Sequence, residues 1–238
     1  NNNIDIIDIE PSDNIEKYHY DGIILCLPTP KGPTGECDDM LVEQYIRTIR
    51  MKSPDTPILI KSTISIELIE LLKYDKHLTY NPEFLTEVNS GEQFKDQKFA
   101  IFGGDTARFW FHLFINSDIS IRKVRFTSLR KAGFAKYAIN SFLATKVIFF
   151  NELKQFYSDS DFDELTDLIN LDKRIGDSHM MVPGPDMKHG FGGKCLPKDT
   201  LAFITSASRK GSPLKLLEKA IDINKELRNE IKEQRMDI

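Results

Sequence analysis

Short apolar runs separated by amphipathic stretches fill the first half of this chain: IDIIDI, GIILCLP, PILIKST, HLTYNP and KFAIFGG follow one another before residue 105. Runs of this length, bounded by Pro, Gly, Asn or Asp, have the dimensions of strands rather than helices. When strands alternate with helical patterns, the connections that bury both sets of apolar residues are right-handed βαβ crossovers, which make the strands parallel. One such helix is predicted from Asp38 to Lys52, where Met40, Leu41, Tyr45, Ile46 and Ile49 recur at steps of three and four residues. A stripe with that spacing packs on the sheet. The fold class expected is α/β, with a Rossmann-like, mostly parallel sheet.

From Thr127 the pattern changes. A single long helix is predicted to about Tyr157, with Ala138, Phe142, Phe149, Leu153 and Phe156 on its apolar face. A shorter helix from Asp161 to Leu171, a Gly- and Pro-rich loop from Val182 to Gly193, and a closing helix from Pro213 to about Glu233 follow. Pro213 suits a first helical turn, where no backbone N–H is needed. Two domains are therefore expected: residues 1–126, sheet-based, and residues 127–238, helical.

A chain of 238 residues with 40% hydrophobic content can bury a core in each. Lys and Arg total 32 against 36 acids, a net charge of −4, so no global positive field would hold nucleic acid or an anionic membrane. No apolar run approaches the length needed to span a bilayer, and NNNIDIIDIE lacks the features of a signal peptide, so a cytoplasmic protein is expected. Cys26, Cys37 and Cys195 are an odd number without a CxxC pair. That argues against a disulfide framework and a zinc cluster, so no metal is expected and at least one thiol stays free.

The most specific stretch is GFGGKCLPKDT, Gly190 to Thr200. An isolated cysteine is most often a small buried hydrophobe. Here Cys195 sits in a glycine-rich loop, flanked by Lys194 and Lys198 and followed by Asp199. Glycines let a backbone approach a ligand and present N–H groups to it, and nearby positive charge favours the thiolate that attacks a carbonyl.

KYAIN places Lys136 and Asn140 four residues apart, on one face of the long helix. Both donate hydrogen bonds, as an oxyanion formed by thiolate addition to an aldehyde requires; an isolated KxxxN is more often a solvated face. NPEFLTE, Asn81 to Glu87, follows an apolar strand and falls at the carboxyl edge of the sheet, where open α/β sheets bind ligands. Its Glu83 and Glu87 either hold hydroxyls and position a water or decorate a first helical turn. CLPTP and KST reach the same edge and bring hydroxyls and backbone groups near a prospective cofactor, or serve as turn residues.

Taken in order, CLPTP, KST, NPEFLTE, KYAIN with FLATKVIFFNEL, DKRIG and GFGGKCLPKDT resemble the UDP-glucose/GDP-mannose dehydrogenase family over nearly the whole chain. The resemblance implies NAD-dependent oxidation of the C6 alcohol of a nucleotide sugar, UDP-glucose by default, to the carboxylate through an enzyme thioester. It makes Cys195 the nucleophile, Lys136 and Asn140 the groups that stabilise the bound oxygen, and Asp199 the carboxylate that assists proton movement. Glu87 orients the hydrolytic water. Glu83, Phe84, Leu85, Thr86 and Glu87, the loop of Gly184, Pro185, Asp186, Met187 and Lys188, and Gly192 match segments that contact the sugar nucleotide. Thr29, Thr63, Glu87 and Lys198 match positions near NAD. Arg174 matches an arginine that reaches a neighbouring subunit's site, and the long helix resembles a dimer core, so a homodimer is expected. His189 is expected to be a solvated loop residue.

The family opens with a GxGxxG turn, and none precedes IDIIDIEPSD. That segment resembles the family's second strand instead, which makes Asp8 the candidate acid for the adenosine ribose. A fragment cut short at both ends is therefore expected, with an incomplete sheet and without the second nucleotide-binding domain. Competing readings are a non-catalytic sugar-nucleotide binder and a hydroxyacid-type dehydrogenase. Neither requires the nucleophile Cys195.

Overall fold

A computed structural model describes residues 20–85, 90–117 and 119–233. The run IDIIDI and the candidates Asp8, Thr86 and Glu87 lie outside the described residues. The chain divides into two compact units, one built from residues up to 30 and 37–136, the other from 31–36 and 137 onward.

In the first unit the elements run β1 (Ile23–Leu25), α1 (Met40–Lys52), β2 (Ile58–Ile60), α2 (Ile66–Leu72), β3 (Leu78–Tyr80), α3 (Ser90–Lys95), β4 (Asp96–Gln97), β5 (Ala100–Gly104), α4 (Ala107–Ile115), β6 (Ser120–Ile121) and β7 (Val124–Thr127). The main sheet has the order β1-β2-β3-β5-β7. β1, β2 and β3 pair in parallel, as do β5 and β7, while β5 meets β3 antiparallel. The sheet is thus mostly parallel, as the alternation of runs predicts. Every residue of β2 and β3 is buried, the pattern of central strands covered on both faces.

Gly104 explains how the antiparallel junction closes. Its φ is +139°, and a Cβ there would lie 2.1 Å from the Leu78 carbonyl oxygen, so only glycine lets β5 approach β3 this closely. Leu59, Phe102, Trp110 and Phe114 form the core beside this junction, which places α4 on the sheet. α2 begins at Ser65, whose hydroxyl accepts from the Leu68 N–H at 3.0 Å, an N-cap that satisfies an otherwise orphaned donor. The buried stripe of α1 is Val42, Ile46 and Ile49. Met40, expected on that stripe, is exposed.

The long helix α5 spans Leu129–Tyr157, and after it come α6 (Phe162–Ile169), α7 (Leu196–Arg209) and α8 (Lys215–Glu233). The first two turns of α5 belong to the sheet unit: Cβ atoms at Gly103 and Gly133 would meet Ala132 at 2.5 Å and Ile69 at 2.2 Å. In the helical unit one core gathers Ala144, Ile148, Phe191, Ala220, Ile221 and Leu227, and another Phe150, Phe162, Met180 and Val182.

Two expectations change. The predicted apolar face of α5 is largely its exposed face: Phe142, Phe149 and Phe156 are 66%, 58% and 89% accessible. The buried side instead carries Lys136, Asn140, Ser141 and Asn151 among its apolar residues. The sequence reading also passes from the loop of residues 182–193 straight to the helix at Pro213, whereas a further helix, α7, starts directly after Cys195. No described helix is long and apolar enough to cross a membrane.

Candidate functional site

Cys195 is the N-cap residue of α7 and is exposed. Pro197 falls in the first turn, where its missing N–H costs nothing. From there the helix fixes its neighbours: the Asp199 N–H donates to the Cys195 carbonyl at 2.9 Å, and residues 195, 198 and 199 lie within a single turn. The Asp199 side chain is buried, with 1% of the residue accessible. A buried carboxylate persists as an ion only when paired and hydrogen-bonded. Here the Asn140 amide donates to its Oδ2 at 2.6 Å, and the Lys198 ammonium stands 2.9 Å from its Oδ1.

The loop before Cys195 is held by one backbone turn and by side chains of α5 and α8. Gly184 N–H donates to the Lys188 carbonyl at 2.9 Å and Met187 N–H to that of Gly184 at 2.8 Å, which closes residues 184–188 into a tight turn containing Pro185. The Asn151 side-chain oxygen accepts from Gly190 N–H at 2.9 Å. Asn224 reads both backbone groups of Phe191, accepting from its N–H at 2.7 Å and donating to its carbonyl at 3.1 Å. Arg228 bridges Asp186, at 2.6 Å, and the Gly190 carbonyl, at 3.0 Å. A Cβ at Gly192 would lie 2.6 Å from the Arg228 guanidinium.

In the sheet unit, β1, β2 and β3 end together, so Cys26, Lys61 and Asn81 follow one another across the carboxyl edge. Ser62 joins the first two turns by accepting from Leu27 N–H and donating to the Leu27 carbonyl, both at 2.7 Å. Thr29 and Thr63 are half-buried in these turns. The ammonium of Lys61, with only 9% of its side chain accessible, donates to Asn81 at 2.8 Å and lies 4.0 Å from Glu83. Burial pushes its pKa down, against the opposing pull of Glu83. The Cys26 thiol is exposed at its surface, yet partial desolvation by the surrounding strand ends pushes it up, partly offset by Lys61. Lys136, 5% accessible, donates to the Glu83 carbonyl at 2.6 Å and sits 5.5 Å from the centre of the Phe84 ring. Leu85 is half-buried beside them in sequence.

The structure therefore joins Asn140, Lys198 and Asp199 around the helix that Cys195 opens, and separately joins Lys136 with Glu83 and Phe84. Lys136 and Asn140 are both buried and stand one turn apart on α5. Arg174 is not among these groups: its guanidinium is exposed and binds Asp172 at 2.9 Å. The turn after it is held from inside, where the Lys146 ammonium donates to the Ile175 and Gly176 carbonyls at 3.2 and 2.9 Å. Burial and the nearby Lys146 charge depress the His179 pKa. His189 is half-buried rather than solvated. Sequence reasoning placed Lys61, Ser62 and Asn81 at the sheet edge within KST and NPEFLTE without giving them individual roles, and it did not single out Asn151, Asn224 or Arg228. The available signal was polar residues at positions where the helical period demands apolar ones, above all Asn151 on α5 and Asn224 on α8.

The sequence profile of the UDP-glucose/GDP-mannose dehydrogenase family, central domain, matches residues 130–226. UDP-glucose 6-dehydrogenase TuaD of Bacillus subtilis is 29% identical over 221 residues, covering 87% of this chain and 47% of that protein. UDP-glucose 6-dehydrogenase of Rickettsia bellii is 32% identical over 234 residues, with coverages of 90% and 51%. A solved UDP-glucose dehydrogenase from the hyperthermophilic archaeon Pyrobaculum islandicum superposes with a TM-score of 0.73 at 27% identity, covering 91% of this chain and 54% of that one. The chain spans about half the length of the curated relatives it matches.

Proposed function

The chain belongs to the UDP-glucose/GDP-mannose dehydrogenase family, and from that premise we propose that it oxidises the C6 alcohol of a nucleotide sugar, UDP-glucose first among them, to the carboxylate through a thioester on Cys195. The observation that carries this reading is the buried Asn140–Asp199 hydrogen bond on the first turn of the helix that Cys195 caps. A helix N-terminus favours an anionic sulfur, and the buried Asp199 carboxylate lies within the same turn.

The residues divide the work as follows. The Cys195 thiolate adds to the C6 aldehyde, forming a C–S bond and leaving an alkoxide. Asn140 and Lys136 donate to that oxygen in the transition state, where growing negative charge makes their hydrogen bonds worth most. Thr29 and Thr63 would hold NAD, which would supply the hydride acceptor, two equivalents for each carboxylate formed. Water then cleaves the C–S bond of the thioester, and Asp199, with Glu87, takes the proton as the thiolate departs.

At the carboxyl edge, the hydroxyls of Thr29 and Thr63, on the two turns locked by Ser62, suit a dinucleotide, because ligands of open α/β sheets bind beyond the strand ends. Asp8 and Lys198 complete the proposed cofactor contacts. Glu83, Phe84, Leu85, Thr86, the 184–188 turn and Gly192 are assigned to the sugar nucleotide. On this reading the sheet-bearing part, residues 1–126, serves the cofactor, and residues 127–238 carry the cysteine loop.

The partner proposed is a second copy of the chain. Phe142, Phe149 and Phe156 repeat every seven residues along the exposed side of α5, a continuous apolar stripe that a like helix can cover. Arg174 then extends toward the partner's site.

The test is NADH formation with a panel of nucleotide sugars. The reading predicts two NADH for each sugar acid and no sugar acid after Cys195→Ser. Binding of nucleotide sugar without any NADH would support the non-catalytic binder, and a single NADH per hydroxyacid would support the hydroxyacid-type enzyme.

A further inference from the structure

Cys195 is exposed, so access does not limit its chemistry; what matters is where its sulfur is held relative to the start of α7. The glycine-rich residues just before it cannot hold it by themselves, since Gly190 and Gly193 both have positive φ and glycine restricts its backbone least of all residues. The restraint comes from a distance of about 30 residues in sequence, from α8. Asn224 pairs with the backbone N–H and the carbonyl of Phe191 as an adjacent strand would. Arg228, one turn further on, takes the Gly190 carbonyl. A Cβ at Gly190 would come within 2.3 Å of the Asn224 side-chain oxygen, so residue 190 and Asn224 are fitted to each other. Phe191 itself is buried with Ala220, Ile221 and Leu227 of the same helix.

We propose that Asn224 is a positioning residue for Cys195: by reading both polar groups of the Phe191 backbone, it fixes the loop that delivers the thiol to the N-terminus of α7. The inference rests on Cys195 being the reactive thiol of the proposed function. An apolar contact alone would keep Phe191 buried yet allow the loop to slide. The two-point amide contact removes that freedom, because shifting the loop by one residue leaves a buried donor and a buried acceptor unpaired.

The deciding variant is Asn224→Asp, which keeps size and shape and still accepts from Phe191 N–H but faces the Phe191 carbonyl with an oxygen. Iodoacetamide labelling is followed residue by residue by mass spectrometry, with Cys26, exposed and in the other unit, as internal standard. The proposal expects Cys195 labelling at neutral pH to slow by about tenfold, since a thiol displaced from the helix N-terminus loses the field that favours its thiolate, while Cys26 is unchanged. A Cys195 rate within twofold of the native value, or raised, overturns it. Should Asn224→Asp lose the native circular dichroism, Arg228→Met is read in the same way. If both variants lose it, the contact acts on folding alone and the proposal fails. With substrate, the same variant lowers kcat and leaves KM within about twofold, the pattern of a misplaced nucleophile. Labelling requires neither NAD nor sugar nucleotide. If the native protein forms no NADH, the proposed function fails while labelling still decides the role of Asn224.

Discussion

The Asn140 amide reaches across 59 residues of sequence to place a 2.6 Å hydrogen bond on the buried carboxylate of Asp199. Lys198 supplies the balancing charge at 2.9 Å. One helix face, at α5, and one first turn, at α7, thus meet in a polar contact where core packing would place apolar side chains. A buried carboxylate that depends on such partners directs attention to chemistry.

Replacing Asn140 with Ala removes the donor and leaves a buried carboxylate oxygen short of a partner. Turnover is expected to fall by about 100- to 1,000-fold, or about 2.7–4 kcal/mol, the loss seen when one oxyanion donor is removed. Stability falls by only about 1–3 kcal/mol. Steady-state kinetics together with urea unfolding separate the two, and an unchanged turnover number removes Asn140 from the mechanism.

Acid sensitivity is expected at His179. Its folded pKa lies below the unfolded value of 6.5, because burial and the nearby Lys146 charge oppose protonation. As pH falls through 6.5 the unfolded chain takes up a proton that the folded chain refuses, so stability declines until the folded pKa is passed. His179→Asn, compatible with the positive φ of 64° at this position, removes that contribution. Urea midpoints at pH 7.5 and 5.5 are expected to differ less in the variant than in the native protein. An equal difference in both assigns the acid sensitivity elsewhere.

The phenylalanine stripe predicts a separable assembly defect. Phe142→Asp with Phe149→Asp changes side chains that are mostly exposed in the single chain, so each is expected to alter its intrinsic stability by no more than about 0.5 kcal/mol. Light scattering coupled to size exclusion should show a dimer for the native protein and a monomer for the double variant. A monomer in both cases contradicts the proposed partner.

The sheet was readable from the sequence because short apolar runs admit few alternatives, and the helix after Asp38 announced itself by its spacing. The antiparallel approach of β5 to β3 was not, since it depends on Gly104 meeting Leu78 across 26 residues, a contact that no local pattern records. On α5 the sequence marked an apolar stripe without showing what covers it. Phe142, Phe149 and Phe156 are exposed, while Lys136, Asn140 and Asn151 are buried. Hydrophobic periodicity assumes that each chain buries its own apolar side, and a stripe left exposed in the single chain defeats it. In the site, Cys195, Lys194 and Lys198 stood out as a local motif. Asn224 and Arg228 did not, because their significance lies in backbone groups on a distant loop.

The central claim concerns one covalent bond. With UDP-glucose and NAD, Asp199→Asn should slow release of the acid, so that peptide mass mapping after rapid quenching finds the nucleotide-sugar acyl group on Cys195 and on no other residue. Cys195→Ala should carry no adduct and form no acid. Sugar acid produced by Cys195→Ala at the native rate, with no acyl group on the native thiol, would contradict the account.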